Sequence, residues 1–508
     1  MSILNLTKVR IIALLLFGLA GLPVCAAEPA DACSPPNFPL PRFGLAKVDV
    51  RDFGATGNGW TNDTVAINKA IDQCNASGGG DVTFPAGTYP AASIHLKSNV
   101  RFLLDKGAVI TGARSGYDAP EPNPFDIYQD FGHSHFHNAL MWGENIDNFA
   151  IVGGRVNGGH IIEGEPKGRA VGDKVISIKS SRNLLFESIT HENGGHFVYL
   201  LNDCENVTVA NVTIKKSRDA VNFVGCRNVQ LHGCNFTGCG DDTVALKSDW
   251  ALGRKILSEN IYVWDSYFES ACNALQFGAE TAGDFRNVNF WNIRIGRAWK
   301  AAIGITSADG GVINGVNYRD ITIKGAACPI FLRVTDKLRS GDPHKKIGAI
   351  KNVKIANVAV TDCKPGEEGW PRTCFISGQP ESRLENIGLE NVKITYRGGG
   401  KKAGEEIALP LLKENRNKNL GPLPAAGFYI RFVNGIMLKN VELEFEAADP
   451  RPTLIASGIN GFTLESLKSI GAAGSETLRL EKIDNLSVRS SPGLKEREAE
   501  SVESTLKE

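Results

Sequence analysis

The chain of 508 residues lacks three things, and each shortage excludes a class of protein. Net charge is nil, since 56 lysines and arginines balance 56 aspartates and glutamates. A nucleic-acid partner calls for a basic excess and is not expected. Long apolar runs are missing. The one strongly apolar stretch, Ile11 to Leu22 behind Lys8 and Arg10, is too short to span a bilayer and reads as the core of a secretory signal over residues 1–26. Val24-Cys25-Ala26 and Cys25-Ala26-Ala27 offer small-residue cleavage sites. The mature protein is therefore expected to be secreted or periplasmic, without a membrane span. No two of the 11 cysteines form a CxxC pair, so a zinc site is not expected. An oxidising compartment permits disulfides without proving them. Cys363 with Cys374 and Cys33 with Cys74 are candidate pairs. Cys204 and Cys226, 22 residues apart, are candidates for stacked reduced thiols.

What the chain has in abundance is a repeat. The unit Asn-x-x-(apolar)-x-x-(apolar)-x-(apolar) starts at Asn148, Asn183, Asn206, Asn228, Asn260, Asn287, Asn352, Asn386, Asn434, Asn460 and Asn485. Several spacings are 22 to 27 residues, which is a solenoid period. No leucine consensus accompanies it. Short strands of alternating Val and Ile, broken by Asn and Gly, favour an all-β, right-handed parallel β-helix with side chains alternating inward and outward. Asn tolerates left-handed turn geometry, and its amide can bond the Asn of the coil above and below. These residues are read as ladder, not as catalysts.

A single domain is expected over residues 44–490, with 44–113 opening and capping the helix. Thr64 to Cys74 has helical spacing, with a Val65, Ile67, Ala70, Ile71 stripe behind Asn62 or Asp63 as N-cap. Such a helix would cover the open end of the first coil. Residues 398–424 read as a long polar loop, able to block one end of a cleft. The charged tail 495–508 reads as a frayed helix.

The chemistry concentrates at Gly240-Asp241-Asp242, which runs into the strand Thr243-Val244-Ala245-Leu246-Lys247. Asp219 lies 22 residues before Asp241, one coil of the expected solenoid. Adjacent strands are ~4.8 Å apart, so three carboxylates converge on one face. Glycoside hydrolysis needs that set: an acid for the leaving oxygen and a base for water. Repulsion among the three would raise at least one pKa.

On Asp52-Phe53-Gly54-Ala55, Phe84-Pro85-Ala86-Gly87-Thr88-Tyr89 and Gly240-Asp241-Asp242 with Asp219, the chain resembles the polygalacturonase-like glycoside hydrolases of family 28, over roughly residues 44–400. The resemblance implies Asp242 as general acid, Asp219 and Asp241 as holders of the attacking water, inversion at the sugar, and a pectic or related polysaccharide or oligosaccharide substrate. It departs from the family at Ser217-Arg218-Asp219 (usually Asn-Thr-Asp), at Cys272-Asn273-Ala274 (usually Gly-His-Gly) and at Ala302 to Thr306, which lacks the usual Arg-Ile-Lys. The chain reads as a divergent branch. Lys247, Lys300 or Arg333 would supply a replacement cation, and Arg218 would serve similarly or neutralise Asp219. His196, one coil before Asp219, and Asn273, Glu280, Lys247 and Arg333 are the candidate substrate-binding residues. Trp142, Trp250 and Trp299 are candidates for stacking on sugars. His133, His135 and His137 would share one face of a strand and are read as polar surface or substrate contact. His160 and His191 are unplaced. No metal or organic cofactor is expected, and a monomer is. Two rivals remain open: a polysaccharide lyase on the same fold with calcium at the acids, and a non-catalytic carbohydrate-binding β-helix.

Overall fold

Branched residues two apart, separated by Asn-centred corners, give the chain nowhere to bury its apolar side chains except against the next copy of itself. The computed structural model, which describes residues 35–165, 170–363, 373–400, 420, 423–471, 476–503 and 506–508, shows that solution: a right-handed parallel β-helix. Strands from Ala46–Asp49 to Leu478–Arg489 pair in parallel with their counterparts one coil away. The expected secretory signal, Cys25, Cys33 and most of 398–424 lie outside the described residues. Among the described residues no helix is long and apolar enough to cross a membrane.

Three rows of inward side chains run along the axis. One is Ile176, Tyr199, Val221, Val244, Leu275, Ile303 and Ile330. A second is Leu184, Val207, Val229, Ile261, Val288, Val316, Val353 and Ile387. The third is Val156, His191, Ile214, Phe236, Phe268, Ile295, Ile323 and Val360. All are buried. Each aliphatic member contributes about 1.5–3 kcal/mol, and its neighbours above and below supply the packing. His191 is tolerated in this core because its Nε2 bonds the Tyr199 hydroxyl at 2.6 Å. Burial keeps its imidazole neutral, with a pKa depressed to about 3.

The corners are built as the repeat implies. Asn183, Asn206, Asn228, Asn260 and Asn287 all have φ near +50°. The Asn183 amide donates to Asp147 at 2.7 Å, and from Asn206 onward each amide donates to the Asn one coil back, as from Asn206 to Asn183 at 2.9 Å and from Asn228 to Asn206 at 3.0 Å. In the repeats at Asn434 and Asn460 the left-handed residue is the following glycine, Gly435 (φ 77°) or Gly461 (φ 79°).

The structure also corrects several expectations. The capping helix spans Thr64–Ala76, and its buried face is Ala66, Ile67, Ala70, Ile71 and Cys74, with Val65 turned to solvent. Asp63 precedes it, but its carboxylate accepts from the Thr56 and Gly57 amides, so the first-turn bond is made by Asn62 Oδ1 to the Thr64 amide. The tail is not a helix. Arg497–Val502 and Leu506–Lys507 pair antiparallel with Leu478–Arg489, because the last coil would otherwise leave a row of unpaired backbone groups. Nor do the three histidines share a strand: His133 lies in the short helix Phe131–Ser134, and His135 and His137 follow it in a loop. Cys74, Cys363 and Cys374 are free and buried, as are Cys204 and Cys226, whose thiols sit on consecutive coils.

The ladder makes a stability prediction. Asn206→Ala forces a Cβ residue without a compensating side chain into the left-handed region, at ~1–2 kcal/mol, and removes two amide bonds worth ~0.5–1.5 kcal/mol each. Asn206→Gly loses only the bonds. In urea denaturation alanine should therefore shift the midpoint further than glycine; equal shifts would remove backbone conformation from the account.

Candidate active site

Five successive coils deliver two columns of side chains to the outer face of the strands whose inward row runs from Ile176 to Ile330. The backbone bonds set the register. Asp219 pairs with Phe197, the Ala220 amide donates to the Asp242 carbonyl (3.0 Å), and the Asp241 amide to the Arg218 carbonyl (2.8 Å). The Thr243 amide donates to Asn273, and the Lys300 amide to Cys272. One column therefore runs Phe197, Asp219, Asp242, Asn273, Ala301. Beside it runs His196, Arg218, Asp241, Cys272, Lys300. The structure brings Asp219, Asp241 and Asp242 together on one face.

The two columns differ in access and hence in charge. Asp219 and Asp242 are buried, whereas the side chains of Arg218, Asp241 and Lys300 are 30, 29 and 21 % exposed and form the mouth. Burial, reinforced by the charges of Asp241 and Asp219, pushes the Asp242 carboxyl up to about 7. It accepts one bond, from Asn273 Nδ2 at 2.9 Å, and Asn273 is itself fixed by the Ala301 amide at 3.1 Å. Asp219 is raised for the same reasons, burial first and then Asp241. Its Oδ2 accepts from Asn222 (3.1 Å), while its buried Oδ1 has no partner within the protein. Asp241 goes the other way. Burial acts against its charge, but the Cys272 thiol, Lys300 and Arg218 outweigh it and hold the carboxyl below its ordinary value. The Arg218 guanidinium donates to Asp241 Oδ2 at 3.2 Å. The site thus separates an ionised carboxylate from a protonated one near neutrality.

His196 is the anchor behind that arginine. Its Nδ1 bonds the Glu163 carbonyl (3.0 Å), and its Nε2 accepts from Arg218. Those partners assign the tautomer. Burial, and then Arg218, depress its pKa to about 2, so the ring is neutral. With both nitrogens engaged, His196 positions Arg218 rather than reaching into open space as a sugar ligand.

The other predicted residues are placed as follows. Lys247 is buried on the same face, 3.3 Å from Glu280 Oε2 and 3.3 Å from His133 Nε2. Burial opposes its charge, but Glu280, Asp219 and Asp242 more than compensate and raise its pKa. Glu280 is held far below the usual carboxylate range by Lys247 and Arg339 against the cost of burial. Arg339 clamps Glu280 (3.2 Å) and the Asp309 carboxylate (2.8 Å). Arg333 lies on Ala326–Val334, three strands beyond Val244–Ser248 on this sheet, and donates to Ser377 at 3.0 Å. The ring of Trp142 stacks on His137 at 3.9 Å, Trp250 lies edge-on to Tyr128, and Trp299 is 42 % exposed beneath the Arg297 guanidinium.

Two features escaped the reading by spacing. Cys272 joins Asp241 and Asp242 in a group whose ligand atoms lie within 4.8 Å of one another. Its thiol is raised by burial and the two carboxylates, and it contacts the Lys300 ammonium. Its signal was the departure from the usual motif at that position. Arg339 arrives from a loop 59 residues beyond Glu280, and no sequence signal marks it. A second donor group, Glu121, His137 and Glu144, is already bridged by Lys179, at 3.2 Å from Glu121 and 2.7 Å from Glu144.

Comparison with known proteins bears on this arrangement. The sequence profile for Glycosyl hydrolases family 28 matches residues 125–409, more than half of the chain. An endo-polygalacturonase of Pectobacterium carotovorum subsp. carotovorum is 23% identical over 360 residues, covering 65% of this chain and 84% of that one. The family 28 exopolygalacturonase of Yersinia enterocolitica superposes with a TM-score of 0.60 at 17% identity, covering 85% of this chain and 78% of that chain. PfbA, a surface adhesin of Streptococcus pneumoniae, gives a TM-score of 0.53 at 13% identity, covering 86% and 92%. At those identities the structural likenesses speak to the fold.

A raised carboxyl is also a statement about stability. The folded pKa of Asp242 lies above its unfolded value, so its contribution is complete below pH about 4 and is lost as pH climbs through about 7. Asp242→Asn abolishes that loss. The variant should match wild type in thermal or urea stability at pH 4 and exceed it by ~2–4 kcal/mol at pH 8. A variant less stable than wild type at pH 8 would contradict the assignment of burial as the dominant cause.

Proposed function

This chain belongs to the glycosyl hydrolases of family 28, and we propose that it cleaves a pectic polysaccharide or oligosaccharide by single displacement with inversion. Asp242 is the general acid: it holds its proton to about pH 7 and sits at the floor of the site. Asp241, ionised at the mouth, and Asp219, with one oxygen unpaired in the floor, orient the water that attacks the anomeric carbon. As the glycosidic bond breaks, the Asp242 proton goes to the leaving oxygen, and the water proton passes to the Asp241–Asp219 pair. The observation that carries this reading is the opposite displacement of two neighbouring carboxyls in one cluster.

Two of the three proteins named above are polygalacturonases, and the basic groups at the mouth suit an acidic sugar. Arg218 and Lys300 flank Asp241 in a chain that lacks the family's usual Arg-Ile-Lys. Arg218 is held by His196 and so is preorganised. The lyase alternative would place calcium at the acids, but Asp241 is already paired with the Arg218 guanidinium and the Lys300 ammonium. The non-catalytic alternative draws on the likeness to an adhesin.

On polygalacturonate, Asp242→Asn should lower kcat by on the order of 10²–10⁴-fold, with an unchanged circular dichroism spectrum. NMR of the fresh product should show the anomer opposite to the bond cleaved. Near-wild-type turnover in the variant refutes the acid, and retained configuration refutes single displacement. An unsaturated product lost with chelator selects the lyase, and binding without release of reducing ends selects the adhesin-like reading.

The pH profile follows from the same pair. Activity should fall above pH about 7, where Asp242 loses its proton, and below the depressed pKa of Asp241. Arg218→Gln removes a cation from Asp241 and, more weakly, from Asp242, and should move the acid limb upward further than it moves the alkaline limb. An alkaline limb that moves further instead would reverse the two roles.

A further inference from the structure

A groove on the side of a β-helix is open at both ends unless the protein's own loops close it. Here both ends are filled. On the N-terminal side, one coil before Asp219, the outward residues Phe197 and Leu200 are wholly buried beneath Phe136, in an apolar cluster that also takes Val224. The neighbouring His196 is covered by residues 158–165 and by the short helix Phe131–Ser134. The Glu163 carbonyl bonds its ring, and a Cβ on Gly132 would lie 3.1 Å from its Nε2. On the C-terminal side the same column fills again at Ala301 and Cys328. The outward ladder Phe331, Phe375 and Tyr429 is buried beneath Leu423 and Ala425. What stays between the two plugs is the Asp219, Asp242 and Asn273 stretch, about 10 Å along the axis at the coil spacing, reached through the partly exposed Arg218, Asp241 and Lys300. The flank is closed as well. His133 and Asp249 lie against the Lys247 row, and Arg339 clamps Glu280 to Asp309.

We propose, on the strength of the hydrolase reading above, that the enzyme acts on chain ends: the site is a blind pocket that admits the terminus of a polysaccharide or a short oligosaccharide and excludes a polymer running through. The plug beside Asp219 stands one coil from the acids, so on that side the pocket holds one or very few sugars. The product is correspondingly short and of uniform length. The specificity lies in Phe136, the 158–165 segment and the Leu423–Ala425 cover, none of which touches the reacting bond.

The test is a time course of the wild-type enzyme on polygalacturonate, with products separated by length and the viscosity followed in parallel. The expected result is a single short product from the first sample, a polymer whose size barely changes, and a slow fall in viscosity per bond cleaved. An early ladder of intermediate lengths with rapid loss of viscosity overturns end-specific action while leaving hydrolysis intact. Absence of new reducing ends from polygalacturonate and its oligomers instead overturns the hydrolase reading and this inference with it. A second measurement uses Asp242→Asn and calorimetric titration with galacturonate oligomers of graded length. Affinity should level off after the first few units; affinity that keeps rising with length shows an open groove and overturns the pocket.

Discussion

Lateral hydrogen bonding between coils is the constraint on which the rest depends. A parallel β-helix has no freedom to slide one coil against the next, because a slip of one residue would send every inward side chain to the surface. The rows through Tyr199, Val221 and Val244 and through Val207, Val229 and Ile261 hold that register from end to end. One consequence is that whatever stands at an outward position is stacked ~4.8 Å from its counterpart on the next coil, whether or not the two tolerate each other.

Asp219 and Asp242 do not tolerate each other, and the site draws its chemistry from that. Like charges at such a distance repel by about 3 kcal/mol at an effective dielectric of ~20, and burial adds its own penalty to the ionised form. The protein supplies cations unevenly. Arg218 and Lys300 stand against Asp241 at the mouth, while the buried Lys247 is shared with Glu280. Asp241 keeps its charge and Asp242 keeps its proton. Under the proposed mechanism the difference between the two carboxyls is the catalytic asset, and the stability cost of the arrangement is tolerated for it. The flanking network serves the same end: Glu280, Arg339 and Asp309 pin Lys247, and His196 pins Arg218, so the counter-charges are fixed in place.

The regular part of the fold sets the floor, and the irregular part sets what lies above it. The segments around Phe136, 158–165, 335–346 and 423–425 lie outside the regular strands. They carry little of the repeat and pack chiefly against outward residues, although Ile161 also packs against the inward core.

The solenoid, its ladder and the meeting of Asp219 with Asp241 and Asp242 were legible in the sequence for one physical reason. A fixed period converts distance along the chain into distance in space, so 22 residues could be read as one strand spacing. The capping helix was legible too, from its own 3.6-residue period, although Val65 fell on the wrong side of the stripe. Where no period operates, the reading failed. The tail became an edge-sealing strand because the last coil needed partners that its own charges gave no hint of. The histidines 133 to 137 alternate without being a strand. Arg339 reaches Glu280 from a loop. Only the tertiary structure decided which carboxyl is protonated, that His196 is bound to Arg218, and that the groove is closed at both ends. Those depend on burial and on contacts between segments with no common repeat, and neither is written in the spacing of residues.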